Sequence, residues 1–146
     1  ERKVGLNYTR GGLMTYFTSD QHFGHYNIIR LCGRPFKTQE EMDEILLSKW
    51  NAKIKDNDTV YILGDLFFRA AKVEPILKAL KGRKHLIVGN HDSSWMTKVK
   101  VSDYFESVQT FKEVNIDGRQ LTLCHYPMLS YHLLLLYPFQ LNLLVL

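Results

Sequence analysis

Residues 85–92 read HLIVGNHD, an apolar run that breaks at Gly89 into Asn90, His91 and Asp92. The same design stands upstream in TVYILGD (59–65), which ends in Gly64 and Asp65, and in MTYFTSDQH (14–22), which ends in Asp20 and His22. RQLTLCH (119–125) repeats it with His125. Runs as continuously apolar as VYIL and LIV are what strands covered on both faces require. Between the runs lie helix patterns. Thr38-Gln39-Glu40-Glu41 is a capping box, in which the Thr hydroxyl accepts from the N3 amide while Glu41 reaches back. Behind it Met42, Ile45, Leu46, Trp50 and Ile54 share one helical face, predicting a helix over 39–55. Residues 26–32 predict a short helix. Ile76, Leu77 and Leu80 predict another within 70–80, and Pro75, which fits only a first turn, sets its start near Glu74. FKEVNI and RQLTLC flank Asp117-Gly118, a pair favoured in two-residue hairpins. Residues 93–105 are weakly patterned. The succession of strand, helix, strand, helix, strand and hairpin makes an α/β fold with a mixed sheet.

The 146 residues are 45% hydrophobic with only 4 Pro and 9 Gly, which excludes disorder and collagen-like repetition. Nineteen Lys and Arg against 15 Asp and Glu give +4, and part of that surplus sits in Arg2, Lys3 and Arg10. So small a surplus does not mark a nucleic-acid binder. Two cysteines, Cys32 and Cys124, are too few for a disulfide framework and point to a reducing, cytoplasmic setting. The first thirteen residues lack the apolar stretch of a secretory signal and read as a leader ahead of a domain over 14–128.

The placement of the polar residues carries the chemistry. In α/β sheets the carboxyl ends of the strands converge on one crevice, where ligands bind. Glycine directly before Asp65 and before Asn90 lets backbone approach closely there. Carboxylate, imidazole and amide oxygen gathered at such a point suit a divalent cation such as manganese, iron or zinc. Asp20 and His22 alternate along an extended segment, so both side chains are expected on one side. Asp65 can bridge two cations, with Asn90 and His125 serving the second. Such a pair lowers the pKa of a bound water and makes hydroxide for attack on phosphorus. His91, free of the metals, is placed to protonate the leaving oxygen, with Asp92 orienting it.

Asp20-x-His22, Gly64-Asp65, Gly89-Asn90-His91-Asp92 and His125 together resemble the ordered motifs of the calcineurin-like metallophosphoesterases. The phrases SDQHFGHYNII and GRKHLIVGNHD are similar to a small bacterial and phage branch of that family. The resemblance implies an α/β sandwich of two mixed β-sheets flanked by helices, with the site at the sheet ends. It implies Asp20 and His22 on a first metal, Asp65 bridging, Asn90 and His125 on a second, and His91 as proton donor or phosphate contact. Two divalent ions would be bound, manganese foremost, with iron, zinc, nickel or cobalt as alternatives. The expected activity is hydrolysis of a phosphomonoester or phosphodiester. This sequence departs from the family at its end, which is truncated or altered. The expected Gly-His-x-His is missing, and His132 is the single histidine after His125.

Other residues keep two readings. His25 is either a loop-capping histidine or a group at the site edge touching substrate phosphate. Arg34 and Arg69 are either phosphate clamps or surface arginines. Residues 129–146 form an atypical segment with eight leucines among positions 133–146. Pro138, Gln140 and Asn142 break it too often for a membrane span. It reads as a buried strand pair, a surface for a second copy of the chain, or a foreign tail. The rival to an active hydrolase is an impaired metal-binding domain that associates through this segment; a nuclease would use the same site on another substrate.

Overall fold

The computed structural model describes residues 8–10 and 12–127, so His132 and the leucine-rich end lie outside the described residues. In chain order the elements are β1 (Tyr8–Arg10), β2 (Leu13–Thr18), α1 (Tyr26–Leu31), α2 (Gln39–Lys53), β3 (Thr59–Ile62), α3 (Val73–Ala79), β4 (Arg83–Ile87), α4 (Ser93–Met96), a 3-10 turn (Val101–Asp103), β5 (Ser107–Gln109), β6 (Phe111–Ile116) and β7 (Arg119–Cys124). The capping box forms with a shift. Thr38 accepts the Glu41 amide at 3.1 Å, but Glu41 reaches past the cap to the Lys37 amide at 2.7 Å. Pro75 falls in the first turn of α3, where its missing N–H costs nothing.

The strands form a five-stranded sheet in the order β1-β2-β3-β4-β5, with β1 antiparallel and the rest parallel, and a second sheet from the β6–β7 hairpin. Asp117 and Gly118 both take positive φ, 50° and 77°, as a two-residue primed turn demands. Tyr8–Arg10 lie within the stretch read as a leader and pair with β2. The order β2 to β5 follows the sequence. Right-handed crossovers then place every connecting helix on one face of the sheet, and the packing agrees. Val60, Ile62 and Leu86 face the helices, packed with Trp50, Leu77 and Trp95, while Tyr61, Leu63 and Ile87 face the hairpin's Val114 and Leu123. Strand alternation thus feeds two cores from one sheet, and the architecture is the expected α/β sandwich with helices outside. Among the described residues the second sheet is antiparallel only.

The buried Asp58 locks the register that matters most. Its carboxylate accepts the Met14 amide at 3.0 Å and the Lys55 amide at 2.8 Å, fixing the start of β2 against β3. The carboxyl ends of those two strands are thereby set side by side.

Candidate metal centre at the strand ends

Beyond β2 and β3 the chains stay zipped. The Asp20 amide donates to the Gly64 carbonyl at 3.0 Å, His22 to Asp65 at 3.0 Å, and Phe23 to Leu66 at 2.9 Å. Within this ribbon Asp20, His22 and Asp65 all take left-handed backbone, with φ of 56°, 54° and 56°. Among the described residues only two other non-glycines do so, Arg69 and the hairpin's Asp117. Each such residue costs of order 1–3 kcal/mol and persists only where its surroundings over-determine it. The extended segment expected for Asp20 and His22 is therefore not what brings their side chains together. Two left-handed kinks do, leaving Asp20 Oδ1 3.7 Å from His22 Nε2.

Asp65 stands at the centre, nearly buried. Its Oδ1 accepts the His91 amide at 2.9 Å. Its Oδ2 lies 3.7 Å from His22 Nε2, 3.7 Å from His125 Nε2 and 3.9 Å from His91 Nε2. These separations are too long for hydrogen bonds. They suit donor atoms about 2.1 Å from a common ion, which lie roughly 3–4 Å from one another. Asp20, Asp65 and His125 each offer a ligand atom within 4.8 Å of the others.

His125 adds a second sign. Its Nδ1 meets the Leu63 carbonyl at 2.8 Å, and a carbonyl only accepts, so the proton sits on Nδ1. The neutral ring then turns the Nε2 lone pair toward Asn90 Oδ1 at 2.9 Å. Two acceptors converge there, to be reconciled by a turn of the Asn90 amide, a proton or a cation. The buried His22 Nδ1 has no hydrogen-bond partner among the described residues. The donor set fits a divalent cation.

Glycine before the ligands is a matter of space, as expected. A Cβ at Gly64 would strike the His125 ring and the Gly89 backbone; one at Gly89 would strike the Asp65 carboxylate. At Asp20, burial works to raise the pKa, but the nearby His22 imidazole, the Ser19 hydroxyl bond at 2.6 Å and the neighbouring His125 hold it below the ordinary carboxylate value.

The remaining candidates divide. His91 sits at the rim, its ring edge-on to Phe68 at 4.7 Å. His25 packs against the same phenyl ring at 3.9 Å, tilted by 34°, and the Arg69 guanidinium lies over it at 5.3 Å. Burial lowers the His25 pKa, helped by His22, His91, Arg34 and Arg69. These three groups face one rim. Two residues are engaged elsewhere. Arg34 gives one N–H from each terminal nitrogen to the carbonyls of Gln21 and Asp20, 2.7 Å each, so it is not a free surface arginine. Asp92, read as orienting His91, spends both oxygens on backbone amides and Trp95. Sequence reasoning missed Phe68, the ring joining the rim residues, and Asp43, which accepts the Gly24 amide at 3.0 and 3.1 Å beside His25. Phe68 lies in the loop that carries Asp65, which was its only signal.

Comparison with known proteins identifies the family. The family model described as calcineurin-like phosphoesterase matches residues 13–141. An uncharacterized protein of Methanocaldococcus jannaschii is 37% identical over 121 residues, covering 81% of this chain and 61% of that protein. The Gene 66 protein of Mycobacterium phage L5 is 38% identical over 84 residues, covering 53% of this chain and 39% of its own length. A crystal structure of a protein of unknown function from Aquifex aeolicus aligns with a TM-score of 0.64 at 32% identity, covering 77% of this chain and 60% of that one. The chain thus spans less than two thirds of the length of each of these relatives. With its motifs in order at the strand ends and the family model matched along most of its length, this chain belongs to the calcineurin-like phosphoesterases.

Proposed function

We propose that this domain hydrolyses phosphate monoesters or diesters with two divalent cations, manganese foremost. The observation that carries the reading is Asp65 Oδ2, facing three imidazole nitrogens at 3.7–3.9 Å and bonded to none. Asp20, His22 and Asp65 would hold the first ion; Asp65, Asn90 and His125 the second. Divalent cations bound there supply Lewis-acid polarisation of the phosphoryl group and a water acidified toward neutral pH.

The chain's own residues do the rest. His91, at the rim with its amide fixed by Asp65, protonates the leaving oxygen. His25 and Arg69 bind the non-bridging oxygens. Phe68 holds all three rim groups in place and excludes water from one side. The two free cysteines fit a reducing, cytoplasmic setting. Among the described residues no helix is long and apolar enough to cross a membrane.

A second reading is favoured by one observation, the short ligand list at each proposed ion. Each ion would have three ligands from the residues named above, and an impaired domain that associates through residues 129–146 would follow. Calorimetric titration with Mn²⁺ decides between them, alongside assays with p-nitrophenyl phosphate and bis-p-nitrophenyl phosphate. Two ions per chain with turnover are expected. One ion or none in a folded protein, with no turnover, replaces the proposal by the second reading. A nuclease would show turnover on DNA or RNA with steep salt dependence.

A further inference from the structure

Asp92 is the most enclosed charged side chain among the described residues, with no exposed surface, and the proposed reaction gives it no proton to carry. Its carboxylate accepts four N–H groups from three segments. Oδ2 takes the Asp65 amide at 2.9 Å and the Gly89 amide at 2.8 Å, while Oδ1 takes the Leu66 amide at 3.0 Å and Trp95 Nε1 at 2.7 Å. An ionised carboxylate has about four lone-pair positions, so this one is saturated.

The pairing of donors is the telling part. The amides of Asp65 and Leu66 belong to the two peptide planes on either side of the Asp65 Cα. One carboxylate, using opposite oxygens, clamps both planes, which fixes φ and ψ of a residue held at φ 56°. The Gly89 amide ties the same group to the loop bearing Asn90 and His91, and Asp65 Oδ1 returns a bond to the His91 amide at 2.9 Å. The two ligand loops are laced in both directions.

We infer that Asp92 is a positioning residue for the metal centre. It holds the strained Asp65 backbone so that Oδ2 stays aimed at His22 and His125, and it leaves the orientation of the His91 ring to others. This inference rests on the metal-centre reading above, because Oδ2 needs aiming only if it binds an ion.

The test compares Asp92→Asn with Trp95→Phe by Mn²⁺ calorimetry and thermal unfolding. The amide keeps one acceptor oxygen and turns an NH2 group against backbone N–H donors. Its Mn²⁺ affinity is expected to fall about 10–100-fold, as for loss of a group that orients a ligand, with the fold retained by circular dichroism. Trp95→Phe removes one donor to the same carboxylate from the helix side. It is expected to lower Tm while leaving Mn²⁺ affinity within about twofold of the parent, since no ligand loop loses a bond. Unchanged affinity in Asp92→Asn, or an equal loss in Trp95→Phe, overturns the inference. If Asp92→Asn does not fold, amide exchange in the unaltered protein carries the test. The Asp65 and Leu66 amides should exchange as slowly as those of β3, and loop-like rates would overturn the inference. No Mn²⁺ binding by the unaltered protein overturns the metal-centre reading itself, before any variant is compared.

Discussion

Arg34 grips the main chain of Asp20. Its Nη2 donates to the Asp20 carbonyl at 2.7 Å while Nη1 donates to the Gln21 carbonyl at the same distance. A planar fork meeting two successive carbonyls restrains the two peptide planes that flank the Gln21 Cα, directly beside a residue at φ 56°. The guanidinium is a strut beneath the candidate ligand.

Replacing that strut with a neutral chain of similar length should cost stability. Arg34→Met is expected to lose about 2–3 kcal/mol in urea unfolding, the scale of hydrogen bonds from a charged donor. Arg34→Lys should recover only part, because one ammonium does not span both carbonyls. A Lys variant as stable as the parent would show that charge, not the fork, is what matters.

Asp65→Asn removes the proposed central ligand while keeping the size of the side chain and its acceptor for the His91 amide. Mn²⁺ affinity should drop by more than the ~10–100-fold typical of losing an orienting group, and phosphoesterase turnover should disappear with it. Calorimetry and a p-nitrophenyl phosphate assay on the same preparation check both.

Gly64 and Gly118 offer a matched pair of glycines with φ of 83° and 77°. Around Gly118 nothing lies within 4 Å of an added Cβ, whereas at Gly64 the His125 ring and the Gly89 backbone occupy that space. Gly118→Ala should cost only the left-handed penalty, about 1–2 kcal/mol. Gly64→Ala should cost roughly 2–4 kcal/mol, because overpacking is added, and should weaken Mn²⁺ binding by displacing His125. Urea midpoints of the two variants give the comparison directly.

His85 sets an acid limit on stability. It stacks on Tyr61 at 4.8 Å and its Nδ1 meets Ser107 Oγ at 2.8 Å. Burial lowers its pKa, Lys112 and Arg83 push it the same way, and Glu106 opposes them. The folded value therefore lies below the unfolded imidazole value of about 6.5. Between the two, the unfolded chain binds more protons, so stability rises with pH. It is fully present above about 6.5 and declines as the pH falls through that value toward the folded one. Unfolding midpoints between roughly pH 5 and 7.5 should show this slope, and His85→Gln should lose part of it.

What the sequence could and could not show follows from where each signal resides. The hairpin at Asp117-Gly118 was legible because its turn needs positive φ at two positions, and that pair tolerates it. Gly64 and Gly89 were legible because close approach of backbone excludes a side chain. Three-residue β5, Ser107–Gln109, was not, since its place comes from pairing with the free edge of β4 rather than from its own residues. Asp92 and Arg34 were found as residues, but the bonds they make were not legible. Their partners are amides and carbonyls, which every residue carries and no motif displays. The left-handed kinks at Asp20 and His22 were hidden too, because neither residue type demands them and only tertiary bonding holds them there.

His125 comes from the hairpin sheet, while Asp20, His22, Asp65 and Asn90 all follow strands of the parallel sheet. Its partners lie far back along the chain, 62 residues away at Leu63 and 35 at Asn90. Closing such loops delays contact formation. Because local and earlier pairings form first, the five-stranded sheet can be in place while the hairpin that carries this imidazole is still undocked. Folding would then pass through a stage with four of the five candidate ligands gathered and the proposed centre open. A cation arriving at that stage would meet a partial site, and the docking hairpin would act as the clasp that keeps it.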